Sequence, residues 1–205
     1  MKMLKKAAAV LLAAAMSLTM LTACGGGSGS SGSLLAQTLG SKYTLTYTLV
    51  ERNGIEAPNV RSTTVMTDGT RFYESEGDGA SLTNAEGSYE INLEAKKAYK
   101  LPQKDNTLAD DITSAMAVTE TGTKEYKGKT YVTETATFNM NGGTVSMSYC
   151  FYNGKLEYMM QTATAPNGET YSWVYRVDSV TKSVDESLMD TSNYTLVENP
   201  EDLWN

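Results

Sequence analysis

The chain has 205 residues, a formal net charge of −7, two cysteines and no histidine. The acidic balance argues against nucleic-acid binding, which needs a positive footprint on the protein. The missing histidine removes the usual general base near neutral pH and the most common zinc ligand. We therefore predict a protein that is not an enzyme, with no catalytic residue, no bound metal and no cofactor.

The first residues have the layout of an export signal. Lys2, Lys5 and Lys6 precede an apolar run over residues 7–20, and Leu21-Thr22-Ala23-Cys24 follows it, ahead of a Gly/Ser stretch over residues 25–33. A positive start, an apolar middle and small residues before a cut are typical of signal peptides. The alternative is an uncleaved anchor, but a spanning helix needs about 20 apolar residues, and this run is shorter and contains polar residues.

This layout resembles the signal peptide of bacterial lipoproteins, and Leu21-Thr22-Ala23-Cys24 fits the lipobox of that family. The resemblance implies lipidation of Cys24 through a diacylglyceryl thioether, after cleavage just before it. Two acyl chains give stable anchoring, whereas one alone is marginal. We therefore expect a partner membrane, held through Cys24, and a location on the outer face of the cytoplasmic membrane.

The chain then divides into four parts. Residues 1–23 are the signal peptide, 24–33 the lipidated cysteine with a flexible linker, 34–195 a single β-rich domain, and 196–205 a C-terminal tail. The cleaved chain has 182 residues and a charge of −10, because the removed part carries three lysines and no acid. That charge favours solubility over an acidic binding patch and argues against a polybasic contact with anionic lipids.

The first half of the domain predicts one helix and several hairpins. Ser33 and Gly40 are suited to begin and end a short helix over residues 34–39. Residues 42–50 alternate apolar and polar, as a half-buried strand does. Asp68-Gly69 is a preferred two-residue turn between strands over residues 60–67 and 70–75. A second hairpin is predicted from residues 88–93 and 98–101, and a short inserted helix at 107–117.

The second half predicts a series of antiparallel strands. Turns at Lys127-Gly128, residues 141–143, Asn153-Gly154 and residues 166–168 separate strands at 130–138, 144–152, 155–164 and 169–181. We expect a mainly β domain, an antiparallel curled sheet with an N-terminal helix and one short inserted helix.

The order of these elements resembles the LolA/LolB-like superfamily, whose open half-barrel curls around helices. The resemblance is carried by the helix and Tyr/Thr strand at residues 34–50, by the hairpin before Arg71-Phe72-Tyr73, and by the strand pair that ends in Leu101-Pro102. A predicted helical insertion then precedes residues 126–131. It implies an open half-barrel and a tendency to hold apolar ligands. The Gly/Ser linker is typical of a Gram-positive lipoprotein, so the transport role of that superfamily is not carried over.

The leading functional hypothesis is that the sheet holds an apolar or amphiphilic ligand, a lipid or acyl chain, in its hollow. For any one residue of the candidate cavity, plain core packing is the alternative. A second hypothesis is a protein-interaction or envelope-sensor module without a small ligand, whose partner is another envelope protein. The candidate cavity residues are Tyr47, Met66, Phe72, Met147, Tyr149, Tyr158, Tyr171 and Trp173.

Cys150 is the remaining cysteine if Cys24 is lipidated. It lies between Tyr149 and Phe151 in a predicted strand. Buried free cysteine usually behaves as a small apolar residue, and no neighbouring cluster of positive residues would lower its pKa. We expect an inert packed thiol; a reactive thiol is the alternative.

Overall fold

The structure is a computed structural model that describes residues 33–57, 61–102, 118–140 and 142–205. These residues form one short helix, thirteen strands and two 3₁₀ turns, at Thr191–Asn193 and Pro200–Leu203. The helix α1 is Leu34–Leu39. The strands are β1 (Tyr43–Arg52), β2 (Ile55–Glu56), β3 (Ser62–Thr67), β4 (Phe72–Glu76), β5 (Gly79–Asn84), β6 (Gly87–Asn92), β7 (Lys97–Lys100), β8 (Val118–Tyr126), β9 (Lys129–Met140), β10 (Gly143–Tyr152), β11 (Lys155–Thr164), β12 (Thr170–Thr181) and β13 (Thr195–Val197).

All thirteen strands belong to one open, curled sheet. Its order is β13-β7-β6-β5-β4-β3-β1-β12-β11-β10-β9-β8, and β2 pairs with β1 beside this path. Successive strands pair antiparallel from β3 to β7 and from β8 to β12, and β1 joins these two halves by pairing with β3 and β12. The predicted mainly β class and the open antiparallel sheet are therefore confirmed, with one parallel pair, β13 on β7.

Helix α1 packs on one face of the sheet, which we call the inner face. Its sequence signals act as predicted, since the Ser33 hydroxyl accepts a hydrogen bond from the Ala36 amide (3.0 Å) and Gly40 ends the helix at φ 66°. Leu35 and Leu39 are buried against the inner-face residues of β1, β3, β4 and β10–β12. These strands contribute Tyr43, Leu45, Tyr47, Val65, Phe72, Met147, Tyr149, Phe151, Leu156, Met159 and Tyr175 to the main core.

The opposite face, which we call the outer face, carries two separate clusters. Because successive side chains of a strand point to opposite faces, Met66 and Tyr73 lie on the outer face. They pack there with Leu82, Ile91 and Met189, which comes from the segment after β12. The other cluster lies on β9–β12 and is centred on Tyr131, Cys150, Met160 and Val174. Residues 184–194 pack against the first of these two clusters, whereas Leu203 contacts Asn92, whose side chain shares the inner face with Glu76.

Three strands were not predicted from the sequence. β2 has two exposed residues, β5 begins with Gly79 and has one buried residue, and β13 lies in the C-terminal segment. Residues 196–205, predicted as a tail outside the domain, pack on it, since Leu203 is fully buried and its carbonyl accepts a hydrogen bond from Asn92 Nδ2 (3.0 Å).

Two predicted features lie outside the described residues. They are the inserted helix at residues 107–117 and the whole stretch 1–32, including Cys24. Within the described ranges, no helix has the length and apolar character needed to cross a bilayer.

Candidate functional site

The eight candidate cavity residues lie in the inner-face core, at its border and in the two outer-face clusters. Tyr47, Phe72, Met147 and Tyr149 lie together in the inner-face core, and Trp173 packs half-buried at its border. Tyr171 is exposed and stacks on Trp173, with ring centroids 6.3 Å apart. Met66 and Tyr158 lie in the two outer-face clusters, so they do not share a hollow with the others.

The inner face contains a small buried group of polar side chains, which we call the inner polar set. It consists of Tyr47 on β1, Glu74 on β4, Gln161 on β11 and Tyr175 on β12. The Tyr47 hydroxyl donates to Glu74 Oε1 (3.5 Å), and the Tyr175 hydroxyl donates to Gln161 Oε1 (3.2 Å). The two tyrosine rings meet edge to face, with centroids 5.5 Å apart. The set therefore forms one group in the middle of an apolar face.

The amide of Gln161 is incompletely satisfied. Its side chain is 1% exposed, and no residue in the described part of the chain gives Nε2 a hydrogen-bond partner. Rotating the amide by 180° would exchange Oε1 and Nε2, so one of the two atoms lacks a partner in either orientation. A buried polar atom without a partner costs about 1–3 kcal/mol, and native proteins contain few of them. The site thus presents a free hydrogen-bonding group to whatever occupies it.

The acidic member of the set has a strongly shifted pKa. Burial of the Glu74 side chain, and then the nearby charge of Glu76, raise the pKa of the Glu74 carboxyl to about 7, against the lowering effect of the Tyr47 hydroxyl. Burial, followed by the charge of Glu74, also raises the pKa of Tyr47 well above its ordinary value. Tyr47 therefore remains a hydrogen-bond donor at all physiological pH values, and Glu74 is near half-protonation at neutral pH.

One end of the inner face leads from the polar set to solvent. Trp173 pairs directly with Gln161 across β11 and β12, and with Arg52 across β12 and β1. Ile55, on β2 opposite Arg52, is 71% exposed. This end, which we call the rim, combines exposed aromatic and apolar surface with one positive charge. Such a combination is typical of the mouth of a site for amphiphilic molecules.

A shallow groove lies elsewhere, at the β10–β11 turn. Its volume is about 340 Å³, and it is open to solvent. It is bordered by Thr38, Asn153, Lys155, Leu156, Val177 and Asp178, among others. None of the eight candidate cavity residues lines this groove. It also lacks the inner polar set, so we do not regard it as the candidate ligand site.

The outer-face cluster on β9–β12 is a second feature of the molecule. We call the aromatic group Tyr126, Tyr131, Tyr152 and Tyr158 the tyrosine patch; the ring centroids of neighbouring members lie 5.0–5.8 Å apart. Lys127 and Lys129 lie over rings of the patch, 5.3 and 4.6 Å from their centroids. Tyr131 is buried, while the other three are partly exposed.

Cys150 lies fully buried beneath the tyrosine patch. Burial raises the pKa of its thiol to about 11, although the charge of Lys124 acts in the opposite direction. A thiol must ionise to react. The structure therefore supports the prediction of a packed, inert cysteine. In the described part of the chain, no three or more acidic or cysteine side chains come together as metal ligands would.

Glu74 and Gln161 were not identified from the sequence. Each is a polar residue at an inward position of an otherwise apolar strand face: Glu74 follows Phe72 by two residues, and Gln161 follows Met159 by two residues. A polar residue at an inward position of an apolar strand face was the sequence signal that could have identified them. Glu74 and Gln161 belong to one group only because β3, β1 and β12 pair in order between β4 and β11. This pairing brings residues that are far apart in the sequence onto one face of the sheet.

Comparisons with known proteins give weak similarities. No protein-family model matches the chain, and no curated protein matches it. The structure is similar to that of PNGF-II in two crystal forms, with TM-scores of 0.45 and 0.42, identities of 16% and 15%, and 80% of this chain covered. The chain spans about a third of PNGF-II, 34% and 32% in the two forms.

A further similarity is to a DUF1329 family protein from Desulfovibrio piger. Here the TM-score is 0.35 and the identity 9%, and the match covers 75% of this chain and 91% of that one. At these TM-scores, none of the similarities assigns a family or an activity to the chain. The LolA/LolB-like assignment stays a prediction from the sequence.

Proposed function

We propose that this protein is a membrane-anchored extracytoplasmic lipoprotein that binds an apolar or amphiphilic ligand, such as a lipid, against the inner face of its open half-barrel. The observation that carries the proposal is the Gln161 amide, which is buried on an apolar face and has one polar atom that none of the described residues pairs with. Ligand sites are mostly apolar, with a few polar groups that fix the orientation of the ligand.

The inner polar set restricts the chemistry of the ligand. The free amide group of Gln161 calls for a hydrogen-bonding partner. Glu74, which is linked to Gln161 through Tyr47 and Tyr175, is partly ionised at neutral pH. A buried anion beside Glu74 would suffer both desolvation and repulsion. The favoured ligand group is therefore neutral, a hydroxyl, ester or amide. A monoacylglycerol or a related neutral lipid has such a head and an acyl chain that suits apolar walls.

The rim supplies the route of entry. Trp173 is half-buried and borders the core, and Tyr171 stacks on it at the solvent side. The inner polar set itself is nearly closed to solvent. A ligand therefore enters past the Tyr171–Trp173 stack and displaces the groups that cover the set. Aromatic side chains of this kind accept an acyl chain at little conformational cost.

The anchoring half of the proposal rests on Cys24 and its surroundings in the sequence. The linker over residues 25–33 ends at Ser33, the cap of α1, so the tether joins the domain at the inner-face helix. Mass spectrometry of the amino-terminal peptide from exporting cells tests this half directly. An unmodified Cys24, or a peptide that retains residues 1–23, would contradict it without affecting the ligand proposal.

Ligand binding can be measured through Trp173. The Trp204→Phe variant removes the second tryptophan, which is 55% exposed and distant in the sequence, and leaves Trp173 as the sole fluorophore. A brominated monoacylglycerol should then quench its fluorescence saturably. In the same background, Gln161→Leu should weaken binding at least tenfold, because it removes a hydrogen bond worth about 1.5 kcal/mol to the ligand.

The same variant gives an independent reading in the absence of ligand. Gln161→Leu removes the unsatisfied amide nitrogen but also takes the acceptor from the buried Tyr175 hydroxyl. The two effects oppose each other, so the free energy of unfolding of the free protein should change by less than about 1 kcal/mol. Glu198→Gln, at an exposed position, is the control and should change neither the affinity for the lipid nor the free energy of unfolding. The proposed site would be excluded if the brominated monoacylglycerol did not quench Trp173 fluorescence, or if the Gln161→Leu variant bound it as tightly as the parent.

The second candidate function is a protein-interaction module, and the tyrosine patch favours it. Tyr126, Tyr152 and Tyr158 present partly exposed rings bordered by Lys127 and Lys129. Tyrosine is enriched at protein interfaces. Recovery of a stable envelope partner that is lost in the Tyr158→Ser variant, together with the absence of lipid from the purified protein, would favour this function over ligand binding.

A further inference from the structure

The last strand of the sheet, β8, has one unpaired side. It pairs with β9 on one side only, and among the described residues no strand pairs with its other side. Residues 119–125 are exposed throughout. The pairing with β9 is regular from Glu120 to Tyr126, and the register shift lies before Glu120. Such an edge exposes a row of backbone donors and acceptors that can pair with another strand.

The charges on β8 are arranged symmetrically about Gly122. Glu120 lies two residues before Gly122 and Lys124 two residues after it. Both side chains lie on the outer face, because Glu120 pairs with Thr135 and Lys124 with Tyr131 in the register with β9. If two such strands pair antiparallel with Gly122 opposite Gly122, each Glu120 lies directly opposite a Lys124 of the other strand.

We propose that β8 of one chain pairs antiparallel with β8 of a second copy, with the two-fold axis at Gly122. Opposite charges directly across an antiparallel pair are stabilising, and like charges are destabilising. Charged residues on an edge strand usually prevent pairing. In this register the charged residues favour pairing instead, because each Glu120 lies opposite a Lys124 of the other chain. The centre of the interface consists of Thr121, Gly122 and Thr123, which are small or β-branched and uncharged.

The second copy is favoured over an unrelated strand by this complementarity. A two-fold interface requires a surface that is complementary to itself, and the Glu120–Gly122–Lys124 pattern has that property. The chain is acidic overall, so two copies repel each other in general. The two lysines at the interface provide local attraction that sets one register. The pairing also joins the two tyrosine patches, because Lys124 lies beside Tyr131 on the outer face. The inference does not depend on the proposed ligand.

Charge reversal tests the register as well as the contact. The full chain in detergent micelles is studied by sedimentation velocity, with micelles in excess. Glu120→Lys places lysine opposite lysine, and Lys124→Glu places glutamate opposite glutamate. Each variant alone should dimerise at least about tenfold more weakly than the parent, because two attractive pairs become two repulsive ones. An equimolar mixture of the two variants should form a heterodimer, since every cross-strand pair again joins opposite charges.

Two controls match the charge changes. Lys155→Glu and Glu198→Lys alter exposed residues away from β8 by the same net charge, and they should dimerise as the parent does. A parent chain that stays monomeric up to its solubility limit would overturn the proposal. So would single variants that dimerise like the parent, or a mixture of Glu120→Lys and Lys124→Glu chains that stays monomeric.

Discussion

At the scale of single residues, Glu74 is the most informative side chain of the inner face. A carboxyl at this depth is stable only if it is protonated or paired, and the Tyr47 hydroxyl that donates to Glu74 lies at 3.5 Å. The long hydrogen bond does not offset the desolvation, so the neutral form is favoured and the pKa is raised to about 7. A buried carboxyl with a strongly shifted pKa marks a candidate functional site, and Glu74 belongs to the same inner polar set as the unsatisfied Gln161 amide.

This pKa has a consequence for stability. The folded protein holds the Glu74 proton up to about pH 7, whereas the unfolded chain releases it near the reference value of 4.5. The stability contribution is thus present below pH 4.5 and is lost as the pH rises towards 7. The size of the shift corresponds to a loss on the order of 3 kcal/mol.

We therefore predict that Glu74→Gln flattens the pH dependence of unfolding. In urea titrations between pH 4.5 and 8, the parent should lose stability relative to the variant as the pH rises, and the two curves should diverge most above pH 7. Glu198→Gln, at an exposed position, should follow the parent. A constant difference between the Glu74→Gln variant and the parent over this range would show that Glu74 titrates normally.

At the scale of elements, α1 is held at both ends by charged side chains of the sheet. The Glu134 carboxylate accepts hydrogen bonds from the amides of Leu34 (2.7 Å) and Leu35 (2.8 Å). Lys182 Nζ donates to the Thr38 carbonyl at the other end (2.6 Å). The first amides and last carbonyls of a helix have no partner within it. A six-residue helix is too short to be stable alone, so these contacts and the burial of Leu35 and Leu39 keep it in place.

Glu134→Ala should release the start of α1. The substitution leaves two amides without acceptors, one of them buried, and should cost about 2–4 kcal/mol of unfolding free energy. Hydrogen exchange at residues 34–37 should accelerate more than exchange in β1. Glu134→Gln keeps one acceptor oxygen and should give an intermediate effect. Unchanged exchange at Leu34 and Leu35 in the Glu134→Ala variant would mean that apolar packing alone positions the helix.

The sequence predicts the local elements well because their causes are local. Ser33 and Gly40 bound the helix as expected, and the Asp68-Gly69 and Asn153-Gly154 turns join the strands that alternation indicates. The contact of Glu134 with α1 spans a separation of about 100 residues, and no local pattern encodes it. β5 was missed because it begins with Gly79 and has one buried residue, Leu82, so its apolar alternation is weak.

The candidate site was predictable only in part for the same reason. Tyr47, Phe72, Met147 and Tyr149 lie on apolar faces that period-two alternation identifies. The assignment of a strand face to the inner or the outer side of the sheet depends on packing partners that are distant in the sequence. Met66 and Tyr158 therefore joined the candidate list although they lie on the outer face.

At the scale of the whole molecule, one sheet is stabilised from both sides by different parts of the chain. Helix α1 covers inner-face residues, while residues 184–194 cover the outer face of β3–β7. β13 extends the sheet beside β7, and Lys97 Nζ donates to the Asp202 carbonyl (3.0 Å). The tyrosine patch, on the other half of the outer face, has no such cover from residues 183–205. The half of the outer face that residues 183–205 leave uncovered is also the half that ends in β8.

The C-terminal segment should accordingly be part of the cooperative fold. Met189 is 1% exposed and packs with Tyr73 and Leu82 in the outer-face cluster. Met189→Ala should lower the free energy of unfolding by about 2–5 kcal/mol through lost burial and a residual cavity. Leu196→Ala, at a position that is 59% exposed, should change it by less than about 0.5 kcal/mol. If Met189→Ala accelerated hydrogen exchange only in residues 183–205 and left the midpoint of global unfolding unchanged, the segment would be an independent appendage, and the core of β3–β7 would be stable without it.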